Sequence, residues 1–238
     1  MFKTAIITGA SQGIGYAIAA YLAQHDYELL LISRNLEKLE RAAEQIKKDF
    51  PQAKIPMLVA MDVADFDAAK ACIDAFLAKV KYLSILCNNA GYAKSGTSSI
   101  AQDEFMKMIN TNLIGTYNFI HHSVPYMKQQ KHGKIINIIS RSGKFARPNV
   151  GAYAASKFGA LGFSEGCYKE LVPYNISVTA LCPGWVDTEM TDDLKIDKND
   201  MIQTQDIVQV VDCLLKLSPT AFIPEIIIEP RAMFPKLE

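Results

Sequence analysis

Short apolar runs alternate with longer stretches of helical spacing along the whole chain. Thr4–Thr8 is strand-like, and Tyr16 to His25 places Ile18, Tyr21 and Leu22 at helical intervals. Glu28–Ser33 reads as a second strand. Asn35 then caps a helix running to about Asp49, closed by Pro51. The same alternation predicts strands at 55–61, 83–87, 135–139, 176–181 and 225–228. The helices between them are predicted at 65–80, 102–128, 152–171 and 204–217. The longest of these, 102–128, is expected to bend near Pro125, since proline removes a helical hydrogen bond.

Apolar strands alternating with helices predict an α/β fold whose sheet is covered on both faces. Nothing interrupts the alternation, so 1–238 is read as a single domain, without repeats or a low-complexity linker. In such sheets ligands bind beyond the carboxyl ends of the strands, where strand order reverses. The turn Gly9 to Gly15, the Asn88-Asn89-Ala90-Gly91 run, Ser140 and Pro183-Gly184 all follow strands. They are expected to gather along one sheet edge.

Composition narrows the function. Lys plus Arg and Asp plus Glu number 25 each, and half the residues are hydrophobic. Charge therefore gives no reason to expect a nucleic-acid or anionic-membrane partner. No apolar segment reaches spanning length, and a strand-like run begins at Phe2, so no signal peptide is expected. The five cysteines are widely spaced and form no Cys-x-x-Cys pair. They read as reduced thiols of a cytoplasmic protein. The four histidines form no zinc-ligand pattern, so no metal is expected.

Candidate chemistry centres on Ser140, Tyr153 and Lys157. Tyr153 and Lys157 lie four apart on a predicted helix and share a face. A free tyrosine, with a pKa near 10, exchanges protons poorly at neutral pH. An ammonium one turn away is expected to lower that pKa. Ser140 would hold a carbonyl or alkoxide oxygen against the phenol. Alone, Tyr-x-x-x-Lys is also a chance helical pattern. The first turn, Gly9-x-x-x-Gly13-x-Gly15, differs from the common Gly-x-Gly-x-x-Gly fingerprint. Its place between a strand and a helix still suits a pyrophosphate; tight packing is the plainer alternative.

Taken together, Thr8-Gly9-x3-Gly13-x-Gly15, Asp62-Val63, Asn88-Asn89-Ala90-Gly91, Asn112, Ser140, Tyr153-x3-Lys157 and Pro183-Gly184-x-Val186-x-Thr188 resemble the short-chain dehydrogenase/reductase family over essentially the whole chain. The resemblance implies a single Rossmann-like domain with a doubly wound, mostly parallel seven-stranded sheet. It implies Tyr153 as acid/base, Lys157 as its partner and a ligand of the nicotinamide ribose, Ser140 as oxygen anchor, and Asn112 as the holder of a proton-relay water. Gly9, Ser11, Gln12, Gly13, Ile14 and Gly15 would line the phosphates, and Asp62 and Val63 the adenine. Asn89, Ala90 and Gly91 would support the cofactor. Pro183, Gly184, Val186 and Thr188 would meet the nicotinamide amide.

The end of the second strand reads Ser33-Arg34-Asn35, with no carboxylate until Glu37. NADP(H) is therefore expected over NAD(H), because an arginine there can take a 2′-phosphate and an acidic residue would favour the free ribose. The expected activity is hydride transfer between the nicotinamide and a small carbonyl or secondary alcohol, including 3-oxoacyl or simple ketone substrates. An NAD-linked alcohol dehydrogenase and a non-catalytic cofactor-binding regulator are the alternatives. Tyr92, Lys144, Phe145, Arg147, Trp185 and Met190 are candidate substrate-pocket residues; Lys144 and Arg147 would face an anionic tail, with solvated loop charges as the commoner alternative. A homodimer built on the helices 102–128 and 152–171 is expected, with a tetramer as the alternative. The stretch after Thr188 is short and polar and could serve as a lid.

Overall fold

A computed structural model describes residues 3–234 of the chain. Its core is one sheet of seven parallel strands in the order β3-β2-β1-β4-β5-β6-β7. These are β1 (Thr4–Thr8), β2 (Glu28–Ser33), β3 (Met57–Ala60), β4 (Ile85–Asn88), β5 (Gly133–Ile138), β6 (Ile176–Pro183) and β7 (Glu225–Ile228). The helices are α1 (Gly13–Gln24), α2 (Leu36–Asp49), α3 (Phe66–Val80), α4 (Gln102–Ile109), α5 (Gly115–Gln130), α6 (Gly151–Leu171) and α7 (Thr204–Lys216).

Strand residues point alternately to opposite faces, and the two cores follow that alternation. Ala5 and Ile7 of β1, Leu29 and Leu31 of β2, and Ile85 and Cys87 of β4 join Ile18 and Leu22 of α1, Leu39 and Ile46 of α2, and Val211 and Leu214 of α7. Ile6, Leu30, Ile32 and Leu86 face the other way, onto Ile73 and Phe76 of α3 and Phe119 of α5. Both faces being covered explains why the strands read as continuous apolar runs. Strand order reverses between β1 and β4, so a cleft opens there beyond the carboxyl ends.

The predicted 102–128 helix is irregular at a different place. α4 passes through a π-helical turn, Asn110–Ile114, into α5, which continues beyond Pro125 to Gln130. Two contacts account for the irregularity. Asn112 is drawn to the backbone of Tyr92, and Gly115 packs so close to Val63 that a Cβ would lie 2.5 Å from Val63 Cγ2. The Gly115 N–H consequently bonds the Asn110 carbonyl, five residues back. Among the described residues, no helix is long and apolar enough to cross a membrane. Phe2, expected at the start of the first strand-like run, lies outside the described residues.

Candidate active site

The first Gly turn takes its shape from two backbone conformations that side chains disfavour. Gly9 and Gly13 have φ of 65° and 56°. A Cβ on Gly15 would come within 2.3 Å of the Gly9 carbonyl oxygen, so Gly15 allows α1 to begin directly against the turn. Thr8 locks this turn to the one after β4. Its hydroxyl accepts the backbone N–H groups of Asn89 and Ala90, each at 3.0 Å. The Asn89 side-chain amide donates back to the Thr8 and Gly9 carbonyls. Asn89 thus serves as a strut under the glycine turn.

Ser140 follows β5, and its hydroxyl accepts the Ser142 N–H at 3.0 Å. The short turn after it, Arg141–Gly143, presses on α6, where a Cβ at Gly143 would lie 2.9 Å from the Lys157 carbonyl oxygen. Glycine there lets Ser140 approach Tyr153 and Lys157. Lys157 is only 4% exposed and donates to the Ile138 carbonyl at 3.0 Å. Burial pushes its ammonium pKa down to about 8.

Tyr153 departs from the expectation of a lowered pKa. Burial pushes its phenol up to about 12, with the nearby Ser140 hydroxyl pulling the other way. Lys157 Nζ lies 5.8 Å from the centre of the tyrosine ring. Four-residue spacing brings the two side chains to one face, but the ammonium turns to the Ile138 carbonyl. Desolvation is therefore the larger influence on the phenol.

Asn112 is 1% exposed. Its Oδ1 accepts the Tyr92 N–H at 2.8 Å, while Nδ2 donates to the Tyr92 carbonyl at 2.9 Å and to Ser156 Oγ at 2.8 Å. Ser156 in turn donates to the Tyr153 carbonyl. A Cβ built on Gly91 would lie 3.6 Å from Asn112 Oδ1 and 3.8 Å from Lys157 Nζ, which places all three together behind the cleft. Ser156 was not singled out from the sequence; its position in Tyr153-x-x-Ser156-Lys157 was the available signal.

A cavity of about 480 Å³ runs along the strand ends. It is lined by Ser140, Tyr153 and Lys157 and by Gly9, Ser11, Gln12, Gly13, Ile14, Ser33, Arg34, Asp62, Val63, Asn89, Ala90, Gly91, Pro183, Gly184, Val186 and Thr188. Of the sequence-derived site residues, Gly15 and Asn112 stand behind the lining. Thr111, Lys38 and Glu189 line the cavity without having been marked in the sequence. No local motif announces them.

Of the substrate-side candidates, only Met190 lines this cavity. Lys144 is held by both carboxylate oxygens of Glu225, at 2.7 and 2.9 Å. The Tyr92 hydroxyl donates to Glu104. Arg147 stacks on Trp185, its guanidinium 4.7 Å from the ring centre. The segment after Thr188 carries its own order: Lys198 pairs with Asp187 and Asp192, and Ile202 bonds the backbone of Trp185 and Asp187. Among the described residues, no group of His, Cys, Asp and Glu is arranged to hold a metal.

The family model described as short chain dehydrogenase matches residues 3–199. A 3-oxoacyl-[acyl-carrier-protein] reductase FabG of Staphylococcus aureus (strain Mu50 / ATCC 700699) is 34% identical over 207 residues, covering 86% of this chain and 83% of that protein. The crystal structure of a betaketoacyl-[ACP] reductase (FabG) from Bacteroides thetaiotaomicron is 36% identical, with a TM-score of 0.87 over 98% of this chain and 99% of that one. A metagenomic short-chain oxidoreductase in complex with NADP is 30% identical, with a TM-score of 0.83 over 96% of each chain.

Proposed function

The chain belongs to the short-chain dehydrogenase family, and we propose that it is an NADP(H)-dependent ketoreductase acting on a 3-oxoacyl thioester or a related small ketone. The observation that carries this reading is the convergence of Ser140, Tyr153 and Lys157 on one cleft. The residues present fit a dinucleotide. Gly9 and Gly13 open the backbone toward the cleft, and the buried Lys157 ammonium lines it. Gly9 and Ser11 to Ile14 would hold the phosphates, with Ser33 and Arg34 at the 2′-phosphate. Asp62 and Val63 would border the adenine, Asn89 to Gly91 and Lys157 the riboses, and Pro183, Gly184, Val186 and Thr188 the nicotinamide amide.

The nicotinamide supplies or accepts the hydride. The chain's own residues manage the oxygen. Ser140 donates a hydrogen bond to the carbonyl oxygen, and Tyr153 gives that oxygen a proton. Lys157 then returns a proton to the phenolate, and Asn112 and Lys157 both lie behind Gly91. A phenol held neutral at pH 7 is in the protonation state that carbonyl reduction uses. The absence of a carboxylate at Ser33-Arg34-Asn35 disfavours the NAD-linked alternative. Four of the five free cysteines are buried, which suits a reducing, cytoplasmic setting.

Assembly is proposed as a homodimer through α5 and α6. Phe158 of α6 is 46% exposed, and Phe66 (40% exposed), Tyr117 of α5 and Phe163 of α6 form a connected ring cluster. The activity is tested by a panel of ketones, including an acetoacetyl thioester, with NADPH and NADH. NADPH-linked reduction of at least one is expected. Alcohol oxidation with NAD as the sole detectable turnover would overturn the reading.

A further inference from the structure

Three side chains from distant parts of the sequence close a polar triangle in the cleft wall. Gln12 comes from the first Gly turn, Lys38 from the first turn of α2, and Glu189 from the turn Glu189–Thr191 after β6. Lys38 Nζ donates to Gln12 Oε1 at 2.8 Å and to Glu189 Oε2 at 3.2 Å. Gln12 Nε2 donates to the same Glu189 oxygen at 2.7 Å. All three residues line the cavity that also holds Arg34.

We infer that Lys38 is a second cation for the 2′-phosphate, and that Glu189 holds its place until the phosphate arrives, tying recognition of that group to release of the segment 188–191. The inference rests on the NADP(H) reading above. Position supports it first. The Asn35 side chain accepts the Lys38 N–H at 2.9 Å, which seats Lys38 in the helical turn directly after Ser33-Arg34-Asn35. Those four residues share one end of the cleft.

Charge supports it next. The Lys38 and Glu189 side chains are 46% and 58% exposed, and an ion pair that open to solvent is weakly held. A phosphate carries more charge than a carboxylate and offers three strong acceptor oxygens, so it displaces Glu189 from the ammonium. Once displaced, Glu189 is a like charge beside the phosphate and is pushed away. Its neighbour Thr188 sits against the first Gly turn, where a Cβ on Gly13 would lie 3.2 Å from Thr188 Cγ2. The triangle therefore fastens the segment after β6 to that turn. Pro183, Gly184, Val186 and Thr188, which lead into the segment, border the same cleft as Tyr153.

The test uses the full chain and two probes, adenosine 2′,5′-bisphosphate and adenosine 5′-monophosphate, with affinities measured by calorimetry. Lys38→Met is expected to weaken the bisphosphate by about tenfold and leave the monophosphate unchanged. Lys38→Arg should retain most of the affinity. Glu189→Gln is expected to tighten the bisphosphate by roughly threefold, a gain that disappears in the double variant with Lys38→Met. Hydrogen exchange over 184–191 should rise with the bisphosphate and not with the monophosphate. A wild type that prefers the bisphosphate while Lys38→Met leaves that preference intact overturns the role of Lys38. A Glu189→Gln gain that persists without Lys38, or unchanged exchange over 184–191, overturns the coupling. A wild type with no preference between the probes overturns the NADP(H) reading itself.

Discussion

Asn112 pairs reciprocally with the backbone of Tyr92, accepting its N–H at 2.8 Å and donating to its carbonyl at 2.9 Å. The pair ties the π-helical turn to the segment after Gly91, and Ser156 extends the tie to α6. Asn112→Ala removes the bonds to the Tyr92 N–H, the Tyr92 carbonyl and Ser156 Oγ, and leaves partly buried groups without partners, each costing about 1–3 kcal/mol. A fall in Tm of roughly 4–10 °C is expected in thermal denaturation, together with reduced turnover. An unchanged Tm would show that the π turn stands without the pairing.

Tyr153→Phe removes only the hydroxyl. Turnover should fall by about 10²–10⁴, the contribution typical of a positioned proton donor. NADPH affinity, measured by fluorescence titration, should remain within about twofold, since that is less than 0.5 kcal/mol. Near-normal rates in this variant would remove Tyr153 from the chemistry.

Arg34 should act on one cofactor and not on the other, because only NADP(H) carries the 2′-phosphate. A charge-assisted hydrogen bond contributes roughly 1.5–3 kcal/mol. Arg34→Ala should therefore weaken NADPH by about tenfold to a hundredfold and leave NADH nearly unchanged. Ser33→Asp should go further, by setting a carboxylate against the phosphate. Equal losses for both cofactors in Arg34→Ala would make Arg34 an ordinary surface residue.

Lys157 gives a pH dependence with a definite sign. Burial lowers its pKa from 10.5 to about 8, so its charge is present at pH 7 and is lost as pH rises through about 8. NADPH affinity in the wild type should weaken between pH 7 and 9.5. In Lys157→Met it should be weaker throughout and flat over that window. Tyr153, held neutral up to about 12, does not titrate there. A wild-type affinity that is flat across this range would place the Lys157 pKa elsewhere.

The exposed rings beside α5 and α6 should be covered by a second copy. Light scattering at micromolar concentration is expected to give the mass of a dimer. Phe158→Glu, which puts a charge into that face, should shift the population toward monomer. A wild type that is cleanly monomeric would refute the arrangement.

The strand and helix alternation, the parallel sheet and the gathering of Ser140, Tyr153 and Lys157 were legible from residue order alone. The strands and helices follow from local periodicity, since apolar runs make buried strands, and a four-residue spacing puts Tyr153 and Lys157 on one helix face; Ser140 was expected beside them from its place at a strand end and from the family resemblance. The glycine turn was legible too, from its place between the first strand and helix; the structure adds that Gly9 and Gly13 hold backbone conformations that other residues disfavour. Tertiary structure decided what periodicity does not encode. The irregular helix is set by Asn112 reaching Tyr92 and by Gly115 against Val63, contacts between segments far apart in sequence. The Tyr153 phenol is raised rather than lowered because burial, a property of the assembled cleft, outweighs the Ser140 hydrogen bond, while the Lys157 ammonium turns to Ile138. Gln12, Lys38 and Glu189 meet only because the turns after β1, β2 and β6 open on the same edge of one parallel sheet.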